Sequence, residues 1–176
     1  ASGYYNIGYV YFAQGDYSKA LEYFEEVLKI RLSVYGENHS RVASVYNDIG
    51  EIYSVQGDDF KALDYFKKSL KIVLSVYGEN HSQVSSIYDH IGEIYFAQKD
   101  YSKALYYFEE SLKIRLSLFG ENHPEVALSY YSIGSLYIIQ GDKSKALNYY
   151  EKSLKIRLSV YGEYLQPIIT QYFIDN

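Results

Sequence analysis

Leu-Ser-Val-Tyr-Gly-Glu-Asn-His-Ser occupies residues 32–40 and returns unchanged at 74–82. It returns at 116–124 as Leu-Ser-Leu-Phe-Gly-Glu-Asn-His-Pro, and begins once more at 158–163 as Leu-Ser-Val-Tyr-Gly-Glu. The glycines are Gly36, Gly78, Gly120 and Gly162, a period of 42 residues. Self-similarity at a fixed period of about 20–50 residues is the signature of a solenoid or other repeat array. Such a chain buries its core between neighbouring units rather than around one centre.

Within residues 1–42, Tyr4, Ile7, Gly8, Tyr11 and Phe12 recur at helical steps. Gly15 suits the left-handed position that ends a helix, and Asp16 can cap the next one. A second stripe follows through Ala20, Leu21, Phe24, Val27, Leu28, Leu32 and Tyr35, closed by Gly36. Each unit therefore reads as a helix, a tight turn, a longer helix and a loop. Pro124 at the start of the next first helix sets the register, because Pro favours the first helical position. This places N-caps at His39, His81 and His123. The third turn reads Lys99-Asp100, where a left-handed Lys costs about 1 kcal/mol.

The expected units are 1–42, 43–84, 85–126 and 127–163. The tail 164–176 departs from the pattern. It reads as a short closing helix entered near Pro167 that covers the last repeat, or equally as a truncated fifth repeat.

These residues resemble the tetratricopeptide repeat, whose signature is matched in register by Tyr4, Ile7-Gly8, Tyr11, Gly15-Asp16-Tyr17, Ala20 and Phe24. Val27 departs from the small residue of that signature, while Ser69, Ser111 and Ser153 keep it. The 42-residue length and the Tyr-Gly-Glu-Asn-His-Pro junction most resemble the long repeats of kinesin light chains. The resemblance covers 1–163 and implies an all-α solenoid, a right-handed superhelix of four helix-turn-helix repeats. The eight added residues lengthen each unit by roughly 12 Å.

The resemblance also implies a protein-interaction scaffold, with first helices lining a concave groove and second helices packed behind. Carried over by position, the groove residues are Tyr5, Asn6, Tyr9 and Phe12; then Asn47, Asp48, Glu51 and Ser54; then Asp89, His90, Glu93 and Phe96; then Tyr131, Ser132, Ser135 and Ile138.

The 17 Lys and Arg lie on second helices, turns or loops, apart from Arg41 at the start of a first helix. The charged residues at the groove positions are all acids: Asp48, Glu51, Asp89 and Glu93. With helices about 8–10 Å apart, these acids can form one anionic patch flanked by Tyr and Phe. That points to a partner peptide with Lys or Arg plus an apolar anchor. The alternative is that the acids merely keep an exposed face soluble. The cations that clamp a carboxylate in chaperone-tail binders of this family are missing, as is the basic groove that kinesin light chains offer to acidic cargo.

The tyrosines at positions 4, 11 and 23 read as core, with hydroxyls that reach partners at its edge. His39, His81 and His123 stand one per repeat, too far apart to share an ion whose ligand bonds are about 2 Å. No metal or cofactor is expected, and no nucleophile, base and orienter converge, so no catalytic residue and no enzyme activity are expected. Glu25 with Lys29, Glu109 with Lys113 and Glu151 with Lys155 read as i,i+4 pairs on a solvated face.

The net charge of −5 argues against nucleic acid. The longest uncharged run, 126–141, is too short to span a bilayer. The chain has no cysteine, which excludes disulfides and agrees with a reducing, cytoplasmic setting. With no signal peptide and no starting Met, it reads as an excised piece. A structural array is the second expectation. The first helix (Tyr5, Tyr9, Phe12 and Val10) has no repeat before it, so copies would self-associate through that uncapped end.

Overall fold

The computed structural model describes residues 2–174, with side-chain surroundings for 2–160. The helices are α1 (Ser2–Ala13), α2 (Tyr17–Tyr35), α3 (Ser40–Val55), α4 (Asp59–Tyr77), α5 (Ser82–Ala97), α6 (Tyr101–Phe119), α7 (Pro124–Ile139) and α8 (Lys143–Ile174). No strand occurs among the described residues. The chain packs as two units, Ala1–Ile94 and Tyr95–Asn176.

Local hydrogen bonding explains the punctuation. After α1, Gly15 takes φ 77°. Its N–H donates to Phe12 O and the N–H of Asp16 donates to Tyr11 O, at 3.0 and 2.9 Å. This is the Schellman arrangement, which closes the last turn of a helix through a left-handed residue. Asp16 then caps α2 by accepting from the Lys19 N–H at 3.2 Å. Lys99 holds the same place at φ 63°, as its position in the repeat predicts.

At the longer joint, Gly36 takes φ 77° and donates to Leu32 O. His39 Nδ1 accepts from the Arg41 N–H at 3.1 Å, and its ring stacks on Tyr35 at 4.6 Å. His81 on Tyr77 and His123 on Phe119 repeat this geometry. The fourth copy of the joint behaves differently, since α8 runs unbroken through Gly162 and Pro167. After Gly162 the chain reads Glu-Tyr-Leu-Gln instead of Glu-Asn-His-Ser, so the capping His that would start a new helix is missing. The expected covering of the last repeat by 164–176 depends on side chains outside the described residues.

In the first unit Ala20, Phe24, Val27, Val45, Ile49 and Ile52 form a buried cluster. In the second, Phe108, Leu112, Val126, Ile133, Leu136 and Ile156 do the same. Gly50 lets α3 and α4 approach: a Cβ there would lie 2.9 Å from the Phe66 ring. The Ser69 hydroxyl donates to Ala43 O at 2.8 Å and Ser153 donates to Ala127 O at 2.7 Å. The Ser111 hydroxyl at the same repeat position is buried without a partner, so this bond accounts for Ser69 and Ser153 only.

The repeated tyrosines are largely half-buried and structural. Tyr11 stacks on Tyr23, Tyr53 on Tyr65, Tyr95 on Tyr107 and Tyr137 on Tyr149, at 5.5–5.7 Å. The Lys three residues after each capping Asp lies over the first ring of the pair, at 4.8–5.0 Å. Tyr4, at the free side of α1, is exposed instead. Two of the expected surface pairs use a different spacing, although Lys68 bonds Asp64 at i,i+4. Lys29 bonds Glu26 and Lys113 pairs with Glu110, both i,i+3.

Candidate functional site

In the first unit the first helices α1, α3 and α5 bring most of the candidate residues into one network. Tyr5 is half-buried, its ring 5.5 Å from Phe24 in an edge arrangement. Its hydroxyl faces the Asp48 carboxyl closely enough for the two groups to shift each other's titration. Burial, then the charge of Asp48, pushes the Tyr5 phenol well above its ordinary range. Tyr9 lies beside it at 5.5 Å and is 45% exposed. Asn6 is exposed, and Phe12 is half-buried against Tyr17.

Asp48 is 8% exposed, so it lies in the wall of the site rather than on its open surface. Burial raises its pKa from 3.8 to about 7, with Glu51 adding to the rise and the Tyr5 hydroxyl and Arg31 opposing it. Its Oδ2 is buried without a hydrogen-bond partner.

Further along α3, Asn47 Nδ2 donates to Glu51 Oε1 at 2.8 Å. The same oxygen lies 3.3 Å from His90 Nε2 on α5. The His90 ring is stacked on Phe66 at 5.0 Å and 6°. Its other nitrogen is 3.9 Å from Glu93. Burial alone would lower the His90 pKa, but the Glu51 bond and the charges of Glu51, Glu93 and Asp89 outweigh it and raise the value. The imidazole is thus held toward its cationic form inside a ring of acids. Asp89 and Ser54 are half-buried.

The second unit holds the other candidates. Tyr131 is 51% exposed, with its ring 5.4 Å from Tyr150 and the Arg157 guanidinium 5.3 Å above it. Ser135 donates to Tyr131 O and accepts from the Tyr150 hydroxyl. Tyr131 lines an apolar trough of about 510 Å³ with Leu147 and Leu154. Ser132 and Phe96 are half-buried and Ile138 is exposed.

One set of residues escaped sequence reasoning. Arg31 reaches from α2 to the first-helix side: Nη1 donates to Arg41 O at 2.6 Å and Ser44 Oγ at 2.8 Å, and the guanidinium lies 4.8 Å above Tyr5. Arg115 donates to Ser129 Oγ at 2.7 Å and pairs with Glu125 at 3.1 Å while only 7% exposed. The signal was available as Arg, Val, Arg, Arg at residues 31, 73, 115 and 157.

The family profile described as tetratricopeptide repeat matches residues 1–75, 41–117 and 83–159. The chain belongs to the tetratricopeptide repeat family. Repeats of this family generally mediate protein–protein interaction in non-enzymatic scaffolds. Among solved structures it is similar to BtubC (BKLC) from P. vanneervenii, with TM-score 0.82 and 27% identity over 90% of this chain. The chain spans 63% of that protein's length. It is also similar to the nearly identical repeats of a putative kinesin light chain from Podospora anserina. There the TM-score is 0.73 and the identity 17%, over 90% of this chain and 75% of that one, a likeness of fold. A second crystal structure of those repeats, of a variant form, gives a TM-score of 0.75 over the same shares. No curated protein sequence matches the chain. No described helix is long and apolar enough to cross a membrane, and no group of three His, Asp or Glu among the described residues is placed to hold a metal ion.

Proposed function

We propose that the first-helix face of the first unit binds a partner segment carrying Lys or Arg together with an apolar side chain. The observation that carries this reading is the set of Glu51, Asp89 and Glu93 around one imidazole, beside the exposed ring of Tyr9 and with the buried Asp48 behind them. Glu51, Asp89 and Glu93 outnumber the one His, so the face stays acidic even when His90 is protonated. The aromatic edge of Tyr9 offers an apolar contact of low conformational cost. Binding of basic and acidic peptide pools at two salt concentrations tests the reading. Basic peptides should bind and weaken as salt rises, and the change of Asp48, Glu51, Asp89 and Glu93 to Ser should abolish that preference. Preferential binding of acidic peptides overturns it.

A second reading is association of copies through α1. It is favoured by Ile7, Tyr9 and Val10, which are 43–54% exposed, whereas Ile49, Ile91 and Ile133 in the position of Ile7 are buried. Light scattering that reports a monomer at all concentrations removes it. The absence of a basic stripe fits a protein partner better than nucleic acid, and the lack of cysteine fits a cytoplasmic setting.

A further inference from the structure

Between α3, α4 and α5 lies a cavity of about 110 Å³ whose walls include Val73, Asn47, Asp48, Gln83 and Ser86. Its position follows from the 42-residue period. Arg31 sits between Tyr5, Arg41 and Ser44. Moving each of these four by 42 residues gives Val73, Asn47, Gln83 and Ser86, and all four line the cavity. One repeat further on, the Gln83 position is Glu125, which pairs with the Arg115 guanidinium. The cavity is thus the place where neighbouring repeats seat their own guanidinium, and where Val73 stops short.

Two acceptors are left over there. Asp48 Oδ2 and Gln83 Oε1 are buried and have no hydrogen-bond partner, and Asp48 is more than nine-tenths buried. Buried polar atoms are normally satisfied, and a guanidinium carries five N–H donors in a planar fork that suits two such oxygens. Ser86 at the rim is exposed, so a side chain can enter from outside. We infer that this cavity receives the guanidinium of an arginine supplied by the partner segment, in place of the arginine that the second repeat lacks.

The inference rests on the peptide reading above only in naming the carrier of the arginine, and the two are separable. The cavity is tested with N-acetyl-arginine amide, its lysine counterpart and its neutral citrulline isostere. Nuclear magnetic resonance follows the Val73 and Ile87 methyl groups at pH 8. The arginine probe should shift these signals saturably and the citrulline probe should not. Asp48→Asn keeps the shape and removes the charge, and should weaken the arginine probe by at least about tenfold, the scale of one charge-assisted hydrogen bond. Val73→Arg supplies an internal guanidinium, and should abolish binding of the probe and raise the melting temperature.

Equal response to arginine and citrulline, or none to either, overturns the cavity reading and makes the space a solvent pocket. If Val73→Arg does not fold, the citrulline comparison on the natural chain and Asp48→Asn decide alone. Arginine-probe binding at Val73 without any preference for basic peptides leaves the cavity standing and removes the groove reading. Basic peptides that bind equally well with Lys in place of Arg, and equally well to Val73→Arg, do the reverse.

Discussion

Replacing Asp48 with Asn should stabilise the chain, and the gain should grow with pH. Asp48 is 8% exposed, and burial raises its pKa from 3.8 to about 7. In the unfolded chain the carboxyl ionises near 3.8. Between these values the folded state holds a proton that the unfolded state has lost, so stability falls as pH rises through this window and levels off above about 7. At 1.36 kcal/mol per pH unit the full burden is about 4 kcal/mol. Entry of water through the cavity reduces that to about 2 kcal/mol, the usual cost of a buried polar group left unpaired. Asn presents the same oxygen to the Tyr5 hydroxyl and no charge. Urea unfolding of both proteins at pH 4.5, 6 and 8 measures the difference directly. The Asn variant should match the natural chain within about 1 kcal/mol at pH 4.5 and exceed it by about 2 kcal/mol at pH 8. His90, whose pKa is raised by the acids around it, is common to both proteins, so its contribution cancels. A variant less stable at pH 8 would show that Asp48 is stabilised as the anion, and a difference constant with pH would show that folding leaves its pKa unshifted; either result would refute this account.

Three other measurements probe the same framework. Gly50→Ala places a Cβ 2.9 Å from the Phe66 ring and should cost about 1–3 kcal/mol of stability by overpacking, read as a drop in urea midpoint. Lys99→Gly should raise the melting temperature, since Lys99 alone among the turn residues bears a side chain at positive φ and relief is worth about 1 kcal/mol. The His90 imidazole should titrate above 6.5 in a proton resonance experiment, and Glu51→Gln should lower its midpoint. Because that folded value is raised, the Glu51 contact contributes stability fully below 6.5 and loses it as pH rises through the folded value.

The sequence by itself determined the repeat, the helix pairs and their joints. These depend on local rules: a 3.6-residue apolar period, a left-handed Gly, and an Asp or His whose side chain bonds an N–H two or three residues on. Each is written within a few residues of where it acts, so Gly15, Asp16, Gly36 and His39 were legible with no knowledge of their neighbours in space. The candidate face was legible only in outline. Position along the repeat placed Asp48 and Glu51 together, but their environments depend on residues far away in sequence. Asp48 is buried because Tyr5 of α1 covers it, Glu51 is engaged because His90 of α5 reaches it, and the cavity exists because Val73 of α4 is shorter than arginine. Burial and pairing of a charge are sums over several helices, and only the tertiary structure performs that sum.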